Sequence, residues 1–176
     1  MNWTKNKVTY VCLGFLFTVI LIVLDQLSKV CAVKNLADGK TVWLIKNVLC
    51  FHYLENTGAA FSILEGKMNF FFVVTPIVCL LICFVYYKMY KLEKYGPLQI
   101  ICIFVMAGAI GNYIDRISNN YVVDFIYFSL IDFPIFNVAD IYVTCAVIVL
   151  IILIMAYYKE EDLNKLKLFK KKEKEV

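Results

Sequence analysis

Four long apolar stretches leave this chain few ways to fold. Val8–Leu24, Met68–Tyr87 and Tyr95–Ile114 carry no charge, and Phe133–Tyr158 carries only Asp140. A membrane-spanning helix needs about 20 mostly apolar residues. Backbone in lipid must satisfy its own hydrogen bonds, so helix is the natural form for each stretch. The expected class is an all-α membrane protein, four transmembrane helices with a small extracytoplasmic β-sheet between the first two. Composition agrees: 62% of the 176 residues are hydrophobic and 18% charged, away from the soluble average on both counts. Disordered chains, disulfide scaffolds and typical cytosolic enzymes are excluded. The length suits one domain, read as residues 1–158 followed by a charged tail, 159–176. Pro76 should kink its helix or start a new turn.

Orientation follows from the basic residues. Lys88, Lys91 and Lys94 crowd the short second connection, seven lysines lie in the tail, and Lys5 and Lys7 precede the first span. The third connection holds only Arg116. The positive-inside rule then puts both termini and the second connection in the cytoplasm. No small-x-small cleavage site follows Leu24, so the first stretch is read as a span and not as a removed leader. The tail mixes lysines and acids, as a solvated helix at an anionic leaflet would. In the first connection, Thr41–Ile45 and Val48–Tyr53 read as short strands within a β-rich segment of about 38–66. No internal repeat is evident.

Several chemistries lack their parts. The seven cysteines form no C-x-x-C pair, and those within the spans act as small apolar residues. Cys31 and Cys50 could meet outside the membrane, but a disulfide between them is not the favoured reading. The one histidine, His52, reads as an interfacial strand residue. No metal is expected from one histidine and no cysteine pair. A serine triad would have to use His52, and no other histidine-bearing element is at hand. A Ser–Lys dyad of Ser28 and Lys29 stays open, although a helix points adjacent residues in different directions.

An ionisable group inside a span costs about 2.5 to 3.5 kcal/mol by insertion scales, so each needs a partner or a purpose. Four clusters sit at the predicted outer ends of the spans or in the connection between them. Asp25 and Lys29 are four apart, in the favourable acid-before-base order. Asn112, Asp115 and Arg116 are spaced to share one helix face, and Asn137 and Asp140 also face together. Asp124 is a lone carboxylate in an apolar run. Ion pairing within a turn accounts for Asp25–Lys29 and Asp115–Arg116 but not for Asp124 or Asp140. Two carboxylates brought together near lipid would share one proton. The ionised member can take a proton from water while the protonated member polarises a carbonyl. That is aspartyl-protease chemistry, and it needs no cofactor or metal.

Five motifs stand in order: Leu24-Asp25-Gln26-Leu27-Ser28-Lys29, Glu55-Asn56-Thr57-Gly58-Ala59-Ala60-Phe61, Gly108 through Arg116, Val122-Val123-Asp124-Phe125, and Phe136-Asn137-Val138-Ala139-Asp140. Together they resemble the lipoprotein signal peptidase (signal peptidase II) family. The resemblance implies an intramembrane aspartyl endopeptidase that removes signal peptides from diacylglyceryl-modified prolipoproteins, cutting before the lipidated cysteine. It places the catalytic dyad on Asp124 and Asp140. Supporting or substrate-binding roles fall on Asp25, Lys29, Asn56, Gly58, Asn112, Asp115, Arg116 and Asn137. Expected partners are the lipid-modified prolipoprotein and membrane lipids, with no nucleic acid, for a monomer in the bacterial cytoplasmic membrane. The outer sheet and the 117–136 connection are candidate lids. The alternatives are a small proton-linked transporter using the same carboxylates and a non-catalytic assembly factor with the polar groups as helix glue.

Overall fold

In the computed structural model, residues 7–58, 66–89 and 93–165 are described. Ala59, Ala60 and Phe61 of the second motif, and the tail beyond Lys165, lie outside them. Four helices are long and apolar enough to cross a membrane: α1 (Lys7–Leu36), α2 (Met68–Met89), α3 (Gly96–Asn119) and α4 (Val138–Ala156). A short helix, α5 (Glu160–Lys165), follows α4. Three strands, β1 (Thr41–Ile45), β2 (Leu49–Asn56) and β3 (Val122–Tyr127), form one antiparallel sheet with β2 in the middle. The chain is a multi-pass membrane protein, with α3 packed against α1, α2 and α4.

Two boundaries differ most from the hydropathy reading, the end of α1 and the start of α4. The helix α1 does not stop at Leu24, because Asp25 and Lys29 neutralise each other within it at 2.9 Å. Its 30 residues span about 45 Å, longer than the hydrocarbon core of about 30 Å. Its last turns reach the sheet, where Ala32 and Leu36 are buried with Val123 and Phe125. Asp25 and Lys29 are therefore interior to α1, not at its end. The helix α4 starts at Val138 and not Phe133, since Phe136 bridges Ile126 of β3 in both directions, at 3.0 and 2.8 Å. Helix α2 runs unbroken through Pro76. Proline lacks an N–H, and the Phe72 carbonyl four residues earlier accepts a bond from Tyr113 Oη of α3 at 3.4 Å.

The third strand is the largest departure, for it lies in the 117–136 stretch expected as a lid. The α3 helix ends at Asn120, whose left-handed backbone (φ 63°) lets its N–H reach the Arg116 carbonyl at 3.1 Å. The chain then turns straight into β3. Its register on β2 shifts between Phe51↔Ile126 and Leu54↔Asp124, so β2 gains one residue there. Side chains alternate along a strand, and one extra residue swaps their faces. The bulge thus puts Asn56, and not Glu55, on the same face as Asp124.

At the far end of the bundle, Tyr95 and Tyr158 stack at 5.6 Å. Asp162 of α5 takes the Lys94 ammonium at 2.6 Å, and Tyr95 Oη donates to the Asp162 carbonyl at 2.7 Å. The start of the C-terminal segment is tied to the turn before α3.

Candidate active site

Asp124 and Asp140 line one cleft of about 1010 Å³ between the sheet, α2, α3 and α4. Asp124, 1% exposed, sits on β3. Its Oδ2 accepts from Asn56 Nδ2 at 2.8 Å and its Oδ1 from Asn137 Nδ2 at 2.7 Å. Asp140 occupies the first turn of α4, where the backbone N–H groups favour negative charge. Its Oδ2 accepts from the Asn137 N–H at 3.1 Å while the Asn137 Oδ1 accepts from the Asp140 N–H at 3.1 Å, a reciprocal cap. Its Oδ1 accepts from Asn112 Nδ2 at 2.8 Å. Asn137, wholly buried, therefore touches both carboxylates.

Burial pushes the Asp124 carboxyl up from an ordinary 3.8 to about 7, and the charge of Asp140 adds to the rise. The bonds from Asn56 and Asn137 and the charge of Lys29 oppose it. A proton is thus available on the pair near neutral pH, described as a property of the dyad and not of one residue.

Around the pair lies a chain of buried polar contacts. Lys29 Nζ donates to Asn112 Oδ1 at 2.8 Å, which fixes which end of that amide faces Asp140. Lys29 also pairs with Asp115 at 3.0 Å. The expected Asp115–Arg116 pair is not what forms, because successive helical residues diverge and Asp115 turns toward α1. Arg116 instead donates from Nη2 to the Gly58 carbonyl at 3.0 Å and lies over the Phe71 ring at 4.2 Å. Its buried Nε has no hydrogen-bond partner among the described residues, and the residue lines the cleft. Asn56 Oδ1 accepts the Gly58 N–H at 2.9 Å, closing the turn after β2. Asp25 is fully buried and accepts the Ala139 N–H at 2.9 Å, tying α1 to the first turn of α4.

The remaining signals sort simply. Ser28 Oγ bonds back to the Asp25 carbonyl at 2.6 Å, and His52 Nδ1 meets Thr41 Oγ1 at 2.9 Å across β1 and β2. Cys31 and Cys50 are both free thiols. Two kinds of residue were missed. Gln26 donates to Asp115 Oδ1 at 3.0 Å and to the Gly111 carbonyl at 3.1 Å. Gly108 and Gly111 let α3 approach α4 and α1: an added Cβ at Gly108 would lie 2.6 Å from the Ala139 carbonyl, and one at Gly111 2.5 Å from Asp25 Oδ2. Their three-residue spacing on one helix face was the available signal.

The model of the signal peptidase (SPase) II family matches residues 17–156. A lipoprotein signal peptidase of Enterococcus faecalis is 47% identical over 126 residues, 72% of this chain and 77% of that one. One from Streptococcus pyogenes serotype M5 is 40% identical over 148 residues, 82% of this chain and 91% of that one. A solved bacterial membrane enzyme, determined by the in meso method at 2.3 Å resolution, superposes with a TM-score of 0.70 at 34% identity, covering 93% of this chain and 96% of that one. None of these relatives supports the transporter alternative. On the matched span and these identities, the chain belongs to the signal peptidase II family.

Proposed function

We propose that this protein is an aspartyl endopeptidase that removes signal peptides from diacylglyceryl-modified prolipoproteins, cutting just before the lipidated cysteine. Asp124 and Asp140 are the catalytic dyad and share one proton. The observation that carries this reading is that both carboxylates line one cleft and are held by a single residue, Asn137, whose side-chain amide donates to Asp124 and whose backbone N–H donates to Asp140. The ionised member takes a proton from water, whose oxygen attacks the scissile carbonyl carbon. The protonated member donates toward the carbonyl oxygen, and the dyad then returns a proton to the departing nitrogen as the C–N bond breaks. Relatives named lipoprotein signal peptidase support the substrate class.

Asn112, Asn137 and Asn56 orient the dyad. Arg116 offers the cleft a cation, and Gly58 and Asn56 shape the turn a substrate strand would pass. The active site faces the outer leaflet side and both termini are cytoplasmic, a reading supported by the lysines of the second connection and tail. The enzyme works as a monomer among membrane lipids. A diacylglyceryl group would hold the scissile bond at the bilayer surface and lower the entropic cost of bringing it to the dyad. The test is cleavage of one prolipoprotein with and without that group. Cutting of the lipid-modified form alone is expected; equal cutting of both would remove lipid recognition from the account.

A further inference from the structure

Three buried charges sit behind the dyad: Asp25, Lys29 and Asp115 are 0%, 2% and 3% exposed. Lys29 Nζ has three donors and three acceptors, Asp25 Oδ2 at 2.9 Å, Asp115 Oδ2 at 3.0 Å and Asn112 Oδ1 at 2.8 Å. Each arm ends at the dyad. Asp25 Oδ1 accepts the N–H of Ala139, the residue before Asp140, at 2.9 Å. Asp115 Oδ2 accepts the N–H of Val123, the residue before Asp124, at 3.1 Å. The third arm, Asn112, donates to Asp140 itself. Gln26 ties Asp115 to the α3 backbone from the other side.

A buried ion triad is a poor stabiliser, since desolvation cancels much of the attraction and apolar replacements of similar volume are often as stable. Stability alone therefore explains the triad poorly, and its bonds to the backbone beside both dyad residues point to another task. The dyad is split between a strand and a helix, whose direct backbone link is the Phe136–Ile126 bridge. We propose that Asp25, Lys29 and Asp115 form a positioning yoke, in which one ammonium holds two carboxylates and each carboxylate grips the backbone next to one catalytic aspartate. The spacing and aim of Asp124 and Asp140 are set by this yoke. The proposal rests on the dyad reading above.

Asp115 offers the sharpest test, because one of its oxygens serves both Lys29 and Val123 and the other serves Gln26, whose amide can turn. Asp115→Asn keeps an oxygen for Val123 and Lys29; Asp115→Leu keeps none. Full-length variants are assayed in detergent on a lipid-modified prolipoprotein, with the folded fraction measured by thermal unfolding. Per folded molecule, Asp115→Leu should lose about a hundredfold in kcat with KM unchanged, as a misplacement of about 1 Å would cause. Asp115→Asn should recover most of that loss. Wild-type kcat in folded Asp115→Leu, or an Asn variant as impaired as Leu, would overturn the yoke. Should Asp115→Leu not fold, the Asn variant decides alone: near-wild-type kcat supports the yoke, and a loss on the Leu scale in a folded protein overturns it. Asp124→Asn, run in parallel, separates the two readings, for activity there would sink the dyad whatever Asp115 does.

Discussion

Asn137 donates to Asp124 at 2.7 Å while capping the helix that presents Asp140. One residue thus joins the two carboxylates, its side chain meeting the strand aspartate and its backbone N–H the helix aspartate. Losing a cap costs about 0.5–2 kcal/mol, and losing the bond to Asp124 costs alignment. The two effects separate by substitution. Asn137→Ser keeps a good cap but is too short to reach Asp124, whereas Asn137→Ala has neither. Thermal unfolding should find Ser near wild type and Ala lower. Both should lose kcat, by about a hundredfold if the shift is about 1 Å.

The pH profile carries a sign. Asp124 titrates near 7, raised by burial and then by Asp140. Above that pH the dyad loses its shared proton, so kcat/KM should fall by about tenfold per pH unit on the alkaline side. Stability follows the same group. Its folded value lies above its unfolded value of 3.8, so the folded chain binds more protons between the two. The contribution of Asp124 to stability is therefore complete below 3.8 and is lost as pH rises toward and through about 7. Unfolding measured across that window should show a shallower pH slope for Asp124→Asn.

Gly108 tests the close approach of α3 and α4. Gly108→Ala would put a methyl 2.6 Å from both the Ala139 carbonyl and Val143 Cγ2. Overpacking of this kind costs about 1–3 kcal/mol, so the unfolding temperature should drop. Activity should drop too, since α4 carries Asp140. Gly96→Ala on the same helix meets nothing within 4 Å and should change neither.

Removing Lys165 to Val176 should leave kcat and KM unchanged in a folded protein, because Asp162 still ties the segment to Lys94 and Tyr95. A cleavage assay on the truncated chain checks this.

The spans were legible because lipid imposes a length and a composition on helices. Their ends were not, where charge or sheet pairing decides. Asp25 ended an apolar run but not a helix, since its partner Lys29 rides one turn away. Tyr121 to Tyr127 had the β-branched and aromatic character of a strand, yet its partner, β2, lies far back in the chain. The nearness of Asn112 to Asp115 and to Arg116 could be read from their three- and four-residue spacing. That Asp115 would choose Lys29 over Arg116 could not, because it depends on how α1 and α3 meet. The bulge that brings Asn56 to Asp124 leaves no mark in the sequence at all.

The most direct measurement is turnover of a lipid-modified prolipoprotein by Asp124→Asn and Asp140→Asn in detergent, each checked for folding. Both should insert normally and leave the substrate uncut. Full activity in either folded variant would contradict the dyad.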